Sequence, residues 1–321
     1  MNFPVFDLHC DTALALIGKE LMGGNSLRKN DFHVDLERAK SLPGYAQCFA
    51  CFTTPAFRDW YKVSPVIAFE REMGEILSQL EANSDWIRQA YSAAEVRENY
   101  EKGLMSGILT IEGPAGFGFD PSLLQMLHTV GFRASTLGWN EKNVLIGSHR
   151  TGGGLTDLGR EYVRECQRLG ILVDVSHCSD EGFWDIIEVT EAPIIASHSN
   201  SRAVCDHSRN LTDDMFRALC QTGGVAGFNH CAPFVGKNPN LDTVCDHILH
   251  LLELDPDGEH IALGGDLDGC DVLPEGFTGI ESYPAMAQRL LERGVGEKIV
   301  ENIYWNNAMG VMKRAVRLHK K

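Results

Sequence analysis

Residues 171–177 read Ile-Leu-Val-Asp-Val-Ser-His, and this stretch decides the fold class of the chain. Its first part is almost wholly apolar, as in a strand that is covered on both faces, and a helical pattern begins directly after it at Ser179. The same alternation of a short β-type run and a longer helical pattern recurs along the sequence. Such alternation is typical of βα units around a parallel sheet.

Eight runs have the length and composition of strands, at residues 3–9, 45–52, 107–112, 132–137, 171–177, 193–198, 224–229 and 260–266. Helical patterns occupy residues 65–82, 92–103, 156–169, 179–190, 212–222, 241–254, 283–293 and 296–318. Eight βα units predict an α/β fold, a (β/α)₈ TIM barrel, and we expect one domain over residues 1–321. The main alternative is an open doubly wound sheet. That fold usually has a Gly-rich first turn, whereas His9-Cys10-Asp11 follows the first strand here.

Composition excludes several classes of partner. The chain has 44 acidic and 29 basic residues and a net charge of −15, which disfavours binding to nucleic acid or to anionic membranes. We find no secretory signal at the N-terminus, no membrane-length apolar run, and no lipidation motif at Lys320-Lys321, and we therefore expect a cytoplasmic protein.

Two local motifs favour structural roles. Cys48 and Cys51 form a CxxC, but residues three apart on a strand point to opposite faces, so we expect buried, inert thiols. The run Gly152-Gly153-Gly154 lacks the Lys-Ser/Thr of a phosphate-binding loop, and we expect a plain flexible loop.

The chemically informative residues lie where predicted strands end. These strand ends carry His9 and Asp11, Glu112, His177, His198, and Asp266. The carboxyl ends of parallel strands meet at one rim of a barrel, which is where TIM-barrel active sites lie. Imidazole and carboxylate are ligands for zinc and similar divalent ions. The sequence therefore predicts a metal site at this rim.

The spacing suggests a role for each residue. His9 and Asp11 are two apart, so on a strand they point the same way and can chelate one ion. His177 and His198 can hold a second ion, with Glu112 bridging the two. A pair of ions about 3.5–4 Å apart acidifies a bridging water into a nucleophile. Asp266 can then take and pass on the proton.

Other polar residues near the rim have weaker signals. His149 and His230 lie in loops near the predicted rim, and the remaining histidines are expected at surface or helix positions. Arg202 and Arg209 follow the sixth strand. Either can clamp a substrate carboxylate, and the alternative for each is a surface ion pair.

Together these residues resemble the membrane (renal) dipeptidase family, peptidase family M19, in the amidohydrolase superfamily. The resemblance covers nearly the whole chain. It rests on His9-x-Asp11, Glu112-Gly113, Asp-Val-Ser-His at 174–177, Ser-His-Ser at 197–199 with Arg-Asn-Leu-Thr-Asp-Asp at 209–214, and Gly-Gly-Asp-Leu-Asp-Gly at 264–269.

The resemblance implies a (β/α)₈ barrel that binds two Zn²⁺ ions, one by His9 and Asp11 and the other by His177 and His198, with Glu112 bridging. It implies that Arg209 holds the terminal carboxylate of a dipeptide. It also implies that Asp266 binds the free amino group or shuttles the proton. It further implies tolerance of a D-residue on the C-terminal side of the substrate, and a homodimer.

One position departs from the family. Mammalian members carry a substrate-contacting His in a Leu-Thr-His motif, and the matching stretch here places Trp139 there, followed by Asn140. We include both among the expected substrate-binding residues. An indole donates one hydrogen bond but cannot become a cation. Either the metal carries more of the oxyanion charge, or another residue enters the pocket.

The leading hypothesis is therefore a zinc-dependent dipeptidase in which Glu112 and Asp266 are catalytic. A second hypothesis keeps the fold and the metals but changes the substrate to another small amide or lactone, such as an N-acyl amino acid or a cyclic amide. A third is a metal-binding scaffold without activity, which the retained ligand set disfavours.

Overall fold

The computed structural model describes residues 3–18 and 23–317. Its strands are β1 (Val5–Cys10), β2 (Tyr45–Phe52), β3 (Ile87–Gln89), β4 (Met105–Glu112), β5 (Phe132–Thr136), β6 (Ile146–Ser148), β7 (Gly152–Leu155), β8 (Leu172–Asp174), β9 (Ile194–Ala196), β10 (Val225–Phe228) and β11 (Ile261–Leu263). Its α-helices are α1 (Thr12–Ile17), α2 (Leu36–Ala39), α3 (Phe57–Trp60), α4 (Pro65–Ala82), α5 (Ala93–Glu101), α6 (Leu124–Val130), α7 (Asp157–Leu169), α8 (Asp180–Val189), α9 (Asp213–Gln221), α10 (Ala232–Val235), α11 (Leu241–Leu254), α12 (Tyr283–Glu292), α13 (Glu297–Glu301) and α14 (Asn307–Arg317).

A closed parallel barrel of eight strands forms the centre of the molecule. Its strand order is β2, β1, β11, β10, β9, β8, β5, β4, and β2 pairs with β4 to close the ring. The short strand β3 pairs with the beginning of β4 outside the ring. The predicted TIM barrel is confirmed, and the closing pair β2–β4 excludes the open doubly wound sheet.

Helix starts follow local capping chemistry. Several helices are preceded by a hydroxyl side chain that accepts a hydrogen bond from a backbone N–H in the first turn. These capping residues are Ser64, Ser92, Thr156, Ser179 and Thr212. Each such cap stabilises its helix by about 1 kcal/mol. The polar residues that precede the apolar patterns therefore set where these helices begin.

Several sequence predictions needed correction. The expected flexible loop at Gly152–Gly154 is wrong, because Gly152–Leu155 pairs antiparallel with β6. The barrel strands β8, β9 and β11 are shorter than predicted, because the chain leaves the ladder before His177, His198 and Asp266. The last helical segment contains a π-helical stretch at Asn302–Asn306 between α13 and α14. Its predicted end at Leu318, like Lys320-Lys321 and the first two residues, lies outside the described residues.

The core has two main apolar clusters, and they separate Cys48 from Cys51. Cys51 belongs to the larger cluster between strands and outer helices. Cys48 belongs to a smaller cluster with Phe6 and Leu8 of β1 and with Met309 and Met312 of α14. The two buried thiols therefore face opposite sides of β2, as predicted. Within the described part of the chain, every helix is too short or too polar to cross a membrane.

Candidate metal centre

The structure brings the predicted rim residues together beyond the carboxyl ends of the barrel strands. The set comprises His9, Asp11, Glu112, His177, His198 and Asp266, and each residue is at most 8% exposed. They come from the ends of β1, β4, β8, β9 and β11. A dense cluster of buried imidazoles and carboxylates therefore lies at one end of the barrel.

Glu112 lies between two groups of histidines. Its Oε2 atom is 3.4 Å from Nε2 of His9, while its Oε1 atom is 2.9 Å from Nε2 of His177 and 3.8 Å from Nε2 of His198. The two carboxylate oxygens thus face different ligand groups. That is the geometry needed by a carboxylate that bridges two cations.

In both His177 and His198, Nδ1 is hydrogen-bonded to a neighbouring side chain, and Nε2 faces Glu112. Nδ1 of His177 is 3.0 Å from Oδ1 of Asn140, an acceptor. Nδ1 of His198 is 2.7 Å from Oγ of Ser197, which donates its own proton to Asp174 and so accepts from the ring. Both rings therefore carry hydrogen on Nδ1. Their Nε2 lone pairs converge 2.9 Å apart, an arrangement that a bound cation stabilises.

The donor set on the other side of Glu112 also fits a divalent cation. Nε2 of His9 lies 3.4 Å from Oδ2 of Asp11 and 3.8 Å from Oδ1 of Asp266. Nε2 of His9 and Oδ1 of Asp11 are buried without a hydrogen-bond partner among the described residues. Buried polar atoms without partners are costly, and a cation satisfies both of them.

The pKa shifts differ between the two sides. Burial and the charge of Asp11 raise the pKa of Glu112 to about 8. Burial alone lowers the pKa of His9, but the charges of Glu112 and Asp11 outweigh it, and the pKa is raised well above its usual value. Burial, followed by nearby positive groups that include Arg209, lowers the pKa of His177 and His198 well below the usual value. Without a cation, Glu112 and His9 are therefore biased toward their protonated forms, while His177 and His198 are biased toward their neutral forms.

Asp266 is fixed beside this cluster by its neighbours. Its Oδ2 atom accepts a 2.9 Å hydrogen bond from Asn229, and Oδ1 faces His9. Burial raises the pKa of Asp266. A Cβ atom on Gly269 would lie 2.1 Å from Asp11 and 2.6 Å from Asp266, so only glycine lets this loop pass between the two carboxylates.

The backbone is strained at the same place. His177, Asp266 and Asp268 have φ values of +69°, +55° and +67°, which side chains other than glycine rarely adopt. Each such residue costs about 1 kcal/mol or more, and strain of this kind clusters at functional sites. The strands β8 and β11 end at Asp174 and Leu263, ahead of these residues.

Arg209 and Arg202 have different surroundings. Arg202 makes a two-point ion pair with Asp180, at 2.7 and 2.8 Å. Arg209 is 4% exposed, and its guanidinium donates to the carbonyl of His198 and the hydroxyl of Ser199. Its Nε atom has no hydrogen-bond partner in the described part of the chain. Among the described residues, no carboxylate is within 4.0 Å of Arg209. A buried guanidinium with unused donors next to the histidines suits an external carboxylate.

Trp139 and Asn140 lie beyond β5, next to His177. Trp139 packs against Phe52 and Trp60, with ring centroids 5.0 and 5.7 Å away, and its centroid is 6.2 Å from that of His177. The amide oxygen of Asn140 accepts from His177 and also lies 2.8 Å from Nε2 of His149. Trp139 thus forms part of an aromatic wall, and Asn140 contacts a predicted ligand.

The two loop histidines singled out in the sequence behave differently. Burial and the positive charges of Arg209 and Arg150 lower the pKa of His149 to about 3, and its ring is held between Asn140 and Ser208. His230 is buried against Phe228, Phe277 and Tyr283. Its pKa is lowered by burial to about 3. His149 faces the site, whereas His230 packs among aromatic rings.

Sequence reasoning missed three residues that support this cluster. Asn229 holds Asp266, while Asp174 and Ser197 together orient His198. Asn229 ends a predicted strand, which is the signal that identified the ligands themselves. Asp174 is an acidic residue inside an otherwise apolar run. A buried acid in such a run indicates a hydrogen-bonded role.

Relatives of known structure share this architecture. A metallopeptidase from Rhodobacter sphaeroides, solved with a phosphinate mimic of the dipeptide L-Ala-D-Ala, is 26% identical, with a TM-score of 0.87 over 98% of this chain and 100% of its own. A second metallopeptidase of family M19, the dipeptidase AC, is 28% identical, with a TM-score of 0.87 over 98% of this chain and 99% of its own.

Sequence comparisons agree with the structural ones. An uncharacterized dipeptidase of Schizosaccharomyces pombe is 34% identical over 228 residues, which are 69% of this chain and 56% of that protein. The chain thus spans little more than half the length of this relative. The family model for membrane dipeptidase, peptidase family M19, matches residues 1–321. These findings support the prediction of a metal-dependent dipeptidase and confirm the resemblance seen in the sequence: the chain belongs to the membrane dipeptidase family, peptidase family M19.

Proposed function

We propose that this protein is a zinc-dependent dipeptidase, in which His9 and Asp11 hold one ion, His177 and His198 hold the other, and Glu112 bridges them. The imidazole and carboxylate donors suit Zn²⁺, and the two oxygens of Glu112 face the two ligand groups separately. Bound divalent ions would supply an activated water and polarise the amide carbonyl. The rest of the chemistry belongs to the residues around them.

Arg209 is the observation that carries the choice of a dipeptide. Its guanidinium is buried, lacks a carboxylate partner within the described residues, and is tied to the backbone of a predicted ligand, His198. A terminal carboxylate of a short peptide fits these donors. Because Arg209 is so near the ligands, only a substrate with its carboxylate close to the reacting amide can reach both.

Asp266 is placed to move protons. Its raised pKa, caused by burial, brings it nearer to neutral pH, where a group can both accept and release a proton. We propose that it takes the proton from the attacking water and returns it to the leaving amine. Asp268 is less suited to contact an ammonium group, because its carboxylate accepts from Thr12 and from the backbone of His33.

Stereochemistry is part of the proposal. The Rhodobacter sphaeroides relative was solved with a mimic of L-Ala-D-Ala, which supports tolerance of a D-residue at the C-terminal position in this chain too. We also propose a homodimer, and a single domain over residues 1–321. Packing of the last helix, α14, against Phe6 and Leu8 of the first strand supports the single domain.

The experiment is hydrolysis of L-Ala-D-Ala and L-Ala-L-Ala by metal-stripped protein to which zinc is added back in steps. We expect activity on at least one dipeptide to rise until two zinc ions are bound per chain. Arg202→Met is the control, and it should hydrolyse the dipeptides like the unmodified protein, because Arg202 is already paired with Asp180. Saturating zinc binding with neither dipeptide hydrolysed would contradict the proposal.

A second candidate function rests on Trp139. Trp139 stands at the position where mammalian members carry a histidine, and it forms an aromatic wall with Phe52 and Trp60. This wall suits an apolar group on another small amide or lactone. A panel of N-acyl amino acids, cyclic amides and lactones separates the candidates. A kcat/KM for one of these above that of every dipeptide tested would favour the second candidate.

A further inference from the structure

Two cysteines far apart in sequence meet beside Asp266. Cys231 follows β10 and Cys270 follows β11. The loops that carry them run side by side, because the N–H of His230 donates to the carbonyl of Gly265 and the N–H of Ala232 donates to that of Val272. These hydrogen bonds on both sides of Cys231 hold its thiol opposite Cys270.

The sulfur atoms and one carboxylate oxygen form a compact group. Sγ of Cys231, Sγ of Cys270 and an oxygen of Asp266 all lie within 4.8 Å of one another. In a tetrahedral site with metal–sulfur bonds of about 2.3 Å, the ligand atoms also lie within 4.8 Å of one another. Asp266 and Cys270 are at most 8% exposed, so two members of the group are already desolvated.

The group is accessible from outside. Cys231 is half-buried, and the residues that follow it, Ala232 and Pro233, line an open depression of about 610 Å³ together with Val272 and Leu273. An ion can therefore approach Cys231 from the solvent side without passing through the histidine cluster.

We propose that Cys231, Cys270 and Asp266 form a third metal site, which takes a thiophilic divalent ion such as Cd²⁺ or excess Zn²⁺ and inhibits the enzyme. Two sulfur ligands and one carboxylate favour such ions over Mg²⁺ or Ca²⁺. Both thiols lose their protons to solvent when the ion binds. Binding engages the carboxylate of Asp266 and draws it away from the proton transfer assigned to it above. The inhibition rests on the proposed function, whereas the binding does not.

The test uses zinc-loaded protein in a phosphine reductant and adds Cd²⁺ alone. Thiolate bonds to cadmium absorb in the ultraviolet, whereas the histidine and carboxylate cluster contains no sulfur. We expect the charge-transfer band to saturate at one Cd²⁺ per chain, and dipeptide hydrolysis to fall along the same titration curve.

Three variants make the result specific. Cys231→Ser and Cys270→Ser, each checked for native circular dichroism, should bind Cd²⁺ at least about tenfold more weakly, and should keep their activity at the added concentration. Cys205→Ser is the matched control, since Cys205 is also half-buried but lies outside the group, and it should behave like the unmodified protein.

The outcomes separate the claims. Absence of the band, or a band that persists in both serine variants, overturns the site. A band without loss of hydrolysis overturns the inhibition. If the protein hydrolyses no dipeptide at all, the proposed function fails, and the band still decides whether the thiolate site exists.

Discussion

The two sides of the metal cluster differ in charge although they are only a few ångströms apart. One side, which we call the acidic side, contains His9, Asp11 and Asp266, and the carboxylates of Glu112 and Asp11 raise the pKa of His9. The other, the basic side, contains His177 and His198 next to Arg209, and burial with nearby positive groups lowers the pKa of both histidines. Glu112 lies between the two sides.

This difference shows how one fold can orient a zwitterion. A dipeptide has a positive group at one end and a negative group at the other. In the proposed function, Arg209 on the basic side would attract the carboxylate, and the acidic side would face the ammonium group. The amide bond would then lie between them, beside Glu112. We propose that this charge difference sets the direction in which the substrate binds.

The largest effect is expected from removing the charge between the two sides. Glu112→Gln keeps the size of the side chain but leaves a weaker ligand for both ions. We expect hydrolysis to fall by at least about a thousandfold, more than the 10–100-fold typical of an outer-shell partner. Steady-state kinetics measure the loss of hydrolysis, and elemental analysis measures the zinc that remains bound. Full activity with two zinc ions bound would show that Glu112 does not bridge.

Removing the cation from the basic side should have the next largest effect. Arg209→Met should lower kcat/KM for a dipeptide by roughly 100-fold, the cost of an unpaired buried carboxylate. The loss should fall mainly on KM. A dipeptide amide, which lacks the carboxylate, should be hydrolysed equally by the variant and the unmodified enzyme. Equal losses on the acid and the amide would contradict the carboxylate clamp.

The metal-free protein should show the asymmetry as a pH dependence of stability. Glu112 and His9 have raised pKa values in the folded protein, so the stability that they contribute is lost as pH rises. His177 and His198 have lowered pKa values, so the stability that they contribute is lost as pH falls below about 6.5. The two trends oppose each other below about pH 6.5, and only the first remains above it. We therefore expect the free energy of unfolding to fall by roughly 2 kcal/mol between about pH 6.5 and about pH 8.

Urea unfolding in the presence of a chelator measures this slope. Glu112→Gln should flatten it, because the variant has no carboxylate to ionise at that position. With saturating zinc the slope should reverse, since the ions compete with protons for the same ligands. A metal-free stability that rises between about pH 6.5 and about pH 8 would contradict the assigned pKa shifts.

The smallest effect is expected at Asn140, which accepts a hydrogen bond from His177 on the basic side. Asn140→Ala removes the acceptor for Nδ1 of His177 and should weaken zinc binding about tenfold. Asn140→Asp keeps the acceptor and should retain the affinity. Competition with a chromophoric chelator measures both. Identical zinc affinities in the two variants would assign Asn140 to substrate contact alone.

The positions of the residues were predictable to different degrees. Polar residues at the ends of apolar runs identified Glu112, His177, His198 and Asp266, because parallel strands must bring their carboxyl ends together. The explanation for Asp11 was incomplete. It has already left the strand, with φ −99° and ψ 22°, so its proximity to His9 does not follow from strand alternation.

The barrel and the metal-type side chains could be predicted from the sequence, because both depend on periodicity and residue type, which are local properties of the chain. The family was recognised by the resemblance of its motifs. The sequence also indicated the CxxC at Cys48 and Cys51 as structural, and the two thiols do face opposite sides of a strand.

The tertiary structure was needed to show which groups lack partners and which residues meet between neighbouring loops. The unused donors of Arg209, the ion pair of Arg202 and the meeting of Cys231 with Cys270 all depend on loops from different βα units. The order of residues along the chain does not encode such distances directly. They arise when the pairing of β10 with β11 places the loops after these strands side by side, and the charges of the whole rim then set the pKa of each group in it.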